Sequence, residues 1–150
     1  MKKWTAFCCC ILFAGFVHAQ QPGYNKTLAD SLGADAYGMK SYVLVILKTG
    51  PATVPAREKV DSLFSGHMNN MGRLVKEGKL LLAGPLEKND RQYRGIFILN
   101  VKTAAEARVI LDTDPAVKSG LLAAEIYPWY GSAALPMYLP YHDRIQEKSF

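Results

Sequence analysis

Apolar residues along this 150-residue chain recur with two different periods, and the alternation between them outlines a fold. Tyr42 to Leu47 is a continuous apolar run rich in β-branched residues, bounded by Lys48, Thr49, Gly50 and Pro51, which predicts a central strand buried on both faces. From Ala56 to Lys76 the spacing changes. Val60, Leu63, Phe64, His67, Met71, Leu74 and Val75 recur every three or four residues, giving one stripe of a helix that Gly78 stops. Leu80 to Ala83 predicts a second strand, ended by Gly84-Pro85. A polar loop over 87–92 then turns the chain into a third strand, Tyr93 to Val101. Thr103 with Glu106 forms a capping box for a helix whose apolar side is Ala104, Ala107, Ile110 and Leu111. Asp114-Pro115 breaks that helix and opens a short turn over Ala116 to Ser119. Leu121 to Tyr127 is the last strand, with Pro128 expected to end it.

The resulting order is β-α-β-β-α-β, an α+β unit of ferredoxin-like topology. Helices on one side of a four-stranded sheet leave its other side apolar and bare. A second copy of the chain is the simplest cover, so a homodimer is expected.

The two ends differ from this middle. Lys2 and Lys3, the apolar run Trp4 to Val17, and small residues before Gln20 read as a cleaved secretory signal over 1–19, which implies a periplasmic or secreted protein. Cleavage would remove Cys8, Cys9 and Cys10, every cysteine in the chain. That excludes disulfides, a cysteine nucleophile and thiolate metal sites. Loss of Lys2 and Lys3 lowers the net charge from +5 to +3, spread thinly along the chain, so nucleic acid is not an expected partner; no segment after residue 19 approaches membrane-spanning length, so neither is a membrane. Residues 20–40 read as an N-terminal arm with a short helix capped by Asn25 and ended by Gly33. Residues 130–150, with Pro136 and Pro140, read as an extended tail; the domain proper is 41–129.

Candidate chemistry is sparse. The mature chain keeps two histidines, His67 and His142, which is too few for a three-ligand zinc site without supporting carboxylates. No phosphate loop, dinucleotide fingerprint or nucleophile elbow is present, and no cofactor is expected. His67 is either a core histidine with one satisfied nitrogen or a general acid/base. Asp114 is an N-cap before Pro115, a role compatible with orienting an imidazole through its second oxygen. Tyr42, Arg73, Tyr93, Glu125 and Trp129 are secondary pocket candidates. Glu125 and Trp129 share a strand face with Tyr127, where structural packing is the competing explanation.

The segments "YVLVILKTG", the helix histidine, "EGKLLLAGPL", "AAEARVILDTDPAVKSGLL" and "EIYPW" resemble the YCII-related (YciI-like) proteins over Ser41 to Trp129. The resemblance implies a dimeric α+β barrel of ferredoxin-like subunits. It also implies a pocket where a first-helix histidine meets an aspartate that precedes a proline, here His67 and Asp114. The implied activity is cofactor-independent proton transfer of lyase, isomerase or dehalogenase type on a small, cyclic molecule. The alternative is a small-ligand-binding or structural homodimeric module that catalyses nothing.

Overall fold

The computed structural model describes residues 23–53 and 56–148; the leader read at 1–19 lies outside them. Four strands form one antiparallel sheet: β1 (Met39–Thr49), β2 (Leu80–Pro85), β3 (Tyr93–Leu99) and β4 (Leu122–Ser132), in the order β2-β3-β1-β4. The helices are α1 (Lys26–Leu32), α2 (Arg57–Lys76), α3 (Ala104–Leu111), α4 (Pro115–Lys118) and α5 (Leu139–Ile145). This is the expected ferredoxin-like α+β fold, with β1 and β3 central and β2 paired to β3 as a hairpin. Among the described residues no helix is long and apolar enough to cross a membrane.

Period-two alternation divides the sheet chemically. Val43, Val45, Leu47, Phe97, Leu99 and Leu122 face Leu74 of α2 and Ala107, Ile110 and Leu111 of α3, forming the main core. Removing these side chains from water supplies the chief driving force for folding. The capping box of α3 forms as expected: Thr103 Oγ1 accepts from Glu106 N, and Glu106 reaches back to Thr103 N.

Two expectations need correction. Pro128 does not end β4; the strand continues to Ser132, and Pro128 pairs with Val43. An edge strand tolerates proline because the missing N–H belongs to the side without a neighbour. The tail is not extended either. After β4 it forms a 3₁₀ turn, Leu135–Tyr138, and then α5. Pro136 and Pro140 occupy the first turns of these segments, where the absent N–H would have had no intrahelical partner.

That folded tail covers part of the sheet face expected to be bare. Leu135 and Leu139 pack on Tyr42, Leu81 and Ile98, which form a second buried cluster. The Tyr138 hydroxyl donates to the carbonyl of Leu81, the residue that the β2–β3 register skips. Deleting 135–150 should therefore expose this cluster and destabilise the protein by roughly 3 kcal/mol. An unchanged urea midpoint for the truncated chain would show that the tail only rests on the sheet.

Candidate active site

His67 projects from α2 into the layer between helix and sheet, where it is only 8% exposed. Its ring lies nearly parallel to Phe97 of β3, with centroids 5.9 Å apart and planes at 18°, while Phe64 meets it edge-on at 6.3 Å. Asp114, at 1% exposure, sits at the N-terminus of α4. His67 Nδ1 and Asp114 Oδ2 are 2.7 Å apart. The helices can approach this closely because position 66 is glycine: a Cβ there would lie 2.9 Å from Pro115 Cγ.

The Asp114 carboxylate performs both tasks considered for it. Oδ1 accepts from the backbone N–H of Ala116 at 2.9 Å and, at a longer 3.4 Å, from that of Val117, while Oδ2 takes the imidazole. Burial pushes this carboxyl up. The hydrogen bond and charge of His67, with the two backbone N–H groups, outweigh burial and hold it below the usual carboxylate range. An ionised carboxylate only accepts, so Nδ1 carries a proton in either charge state of the ring, and the neutral form presents Nε2 as a base. Nε2 has no hydrogen-bond partner, yet no buried side-chain nitrogen or oxygen is unsatisfied; both hold among the described residues. The free nitrogen therefore reaches open space.

His67 borders a hollow of about 350 Å³ lined also by Phe64, Met68, Met71, Pro85, Phe97 and Arg94. The volume suits a small molecule, and the mostly apolar lining with few polar groups is typical of ligand sites. A larger, more open depression of about 630 Å³ borders Arg108, Asp112 and Lys118; it holds no imidazole. No cluster of three or more metal-ligating side chains occurs among the described residues.

The other candidate residues scatter. Arg73 lies outside the hollow but supports it: its Nη2 donates to Asn70 Oδ1 at 2.8 Å and to Thr113 Oγ1 at 3.0 Å. This turns the Asn70 amide nitrogen toward Asp114 Oδ2, at 3.4 Å. Tyr42, Tyr93, Glu125 and Trp129 occupy the opposite sheet face. Tyr42 donates to the Ser132 carbonyl and lies beside Trp129, with ring centroids 5.6 Å apart. Glu125 accepts from Lys48 at 2.6 Å and from the hydroxyls of Tyr127 and Tyr93 at 3.1 and 3.3 Å. Lys48 above all, with these hydroxyls, holds the Glu125 carboxyl below its ordinary range. Residues not anticipated are Asn70, Phe97 and Arg94. Asn70 follows His67 by three positions, which puts the two on one helix face. Gly84 and Pro85, at the end of β2, also border the hollow.

The class defined by these features is an α+β domain with a buried His-Asp pair opening onto a small apolar hollow. The YCII-related domain model matches residues 41–130, and the chain belongs to that family. No curated protein matches it. Among solved structures it is similar to 5-chloro-2-hydroxyhydroquinone dehydrochlorinase from Burkholderia phenoliruptrix in complex with 2,5-dihydroxybenzoquinone. That alignment has 20% identity and a TM-score of 0.41, and it covers 58% of this chain and 92% of the other.

A carboxyl held below its unfolded value stabilises the fold above that value and loses this contribution as pH falls through the folded pKa. Wild-type stability should therefore drop on acidification below about pH 4, and Asp114→Asn should remove part of that slope. Superimposable acid unfolding curves, once normalised at pH 7, would contradict the ionised pair.

Proposed function

We propose that the protein is a cofactor-independent acid/base enzyme, of lyase, isomerase or dehalogenase type, acting on a small, cyclic molecule held in the hollow. His67 Nε2 removes or delivers the proton. Asp114 fixes the tautomer and stabilises the imidazolium that forms, so it is a positioning residue. The observation that carries this reading is the 2.7 Å contact between Nδ1 and Oδ2 at the edge of a cavity of ligand size. A histidine serving only to fill the core would have no reason to leave its second nitrogen open toward such a space.

The chemistry needs no additional group. A neutral imidazole with a carboxylate behind it is a competent base near neutral pH, and the apolar walls strengthen its electrostatic interaction with a substrate. Membership of the YCII-related family agrees with the reading. Thermal-shift screening of small cyclic compounds against the purified protein should find a stabilising ligand. For a compound that is turned over, His67→Ala should lower kcat by roughly 10²- to 10⁴-fold. Turnover unchanged in that variant would remove the proposal and leave a ligand-binding module.

The functional unit is proposed to be a homodimer. The tail covers Tyr42, Leu81 and Ile98, but Ile46 and Ile96 on the same face stay half-buried and Tyr127 exposed. Light scattering should give the mass of two chains, and Ile96→Asp should reduce it to one. A monomeric wild type at tens of micromolar would exclude the dimer.

A further inference from the structure

Arg94, an exposed residue, borders the hollow and is with His67 one of two polar side chains in a lining that is otherwise apolar; it comes to be there through a local irregularity. Leu47 pairs with Gly95, but the next residue, Lys48, pairs with Tyr93, so Arg94 is an extra residue bulged out of the β1–β3 ladder. Strict alternation would place Arg94 on the sheet face opposite His67 and Tyr93 on the helix face. The bulge exchanges them: Tyr93 joins Glu125 on the far face, and Arg94 joins His67 at the hollow. The backbone at this point is anchored, since Leu86 N donates to Arg94 O at 2.9 Å. Its neighbour must be glycine, because a Cβ at Gly95 would lie 2.8 Å from the Gly84 carbonyl oxygen.

The side chain itself is uncommitted. Among the described residues the ion pairs involve other cations, and no carboxylate lies within pairing distance of Arg94. A guanidinium offers five N–H donors in a planar fork suited to two oxygens of one anion. Phe64, Phe97 and Met71 along the same hollow suit the apolar body of a ring.

We infer that Arg94 is the anion-recognising residue of the hollow, and that its ligand is a small ring compound bearing a carboxylate. The guanidinium takes the carboxylate at the mouth while the ring lies along the phenylalanines, within reach of His67. This rests on the reading of the hollow as the substrate site, but not on proton transfer there. Benzoate and its uncharged isostere benzamide are sufficient probes. Binding is read by calorimetry and by the imidazole NMR signals of His67.

Wild type should bind benzoate roughly tenfold more tightly than benzamide, the effect of one charge-assisted hydrogen-bonded pair at a solvent-open mouth. Arg94→Gln should bring that ratio to near one without altering the benzamide affinity, and Arg94→Lys should retain part of it. His67→Ala should keep the preference, because the guanidinium remains. Equal affinities in wild type, a ratio unaffected by Arg94→Gln, or no saturable benzoate binding would each overturn the inference. The two readings fail separately. A preserved anion preference with full turnover in His67→Ala would sink the acid/base chemistry alone, and lost turnover without any anion preference would sink Arg94 alone.

Discussion

The geometry around the hollow depends on one buried carboxylate shared between two helices. Asp114 terminates the peptide N–H groups of α4 with one oxygen and holds the His67 ring with the other. Together these contacts tie the orientation of an imidazole on α2 to the start of a helix 47 residues further along. The contact exists only because Gly66 leaves Pro115 room to approach. Asn70, Thr113 and Arg73 continue the network outward, giving the charged group a hydrogen-bonded surround in place of water.

The sheet separates two kinds of chemistry. On the helix side lie the core and the hollow, mostly apolar, with His67, Asn70, Asp114 and Arg94 among the exceptions. On the other side Lys48, Tyr93, Tyr127 and Glu125 form a self-satisfied polar group beside Ile46 and Ile96. Glu125 and Trp129, with Tyr127 between them, read as a pocket wall because the strand period puts them on one face. That face is real, but it is not the face of His67.

What could be read from the letters follows from periodicity, which is a local property. The α2 stripe, the run Val43 to Leu47 and the Thr103–Glu106 capping box all depend on neighbours within a few positions, and all appear in the structure. Even the His67–Asp114 pairing left a local trace, a histidine on an apolar stripe and an aspartate before a proline. The misreadings concern proline and register. Pro128 reads as a strand stop and Pro136 and Pro140 as marks of an extended tail, yet each lies where its missing N–H costs nothing, which depends on strand order and helix phase. Arg94 was invisible because a bulge is a property of two paired strands, and no single-strand pattern announces the skipped residue.

The folded tail alters how this chain can meet its neighbours. A sheet with one wholly open side can stack squarely on its twin, every strand above a strand. Here α5 and the preceding turn already occupy the end of that side near Leu81 and Tyr42. Any twin must therefore sit off-centre, toward the end marked by Ile46 and Glu125, or meet the tail of its mate as a bumper. In a homodimer of the kind proposed, this segment would limit the offset between protomers, and with it the shape of any chamber enclosed between them.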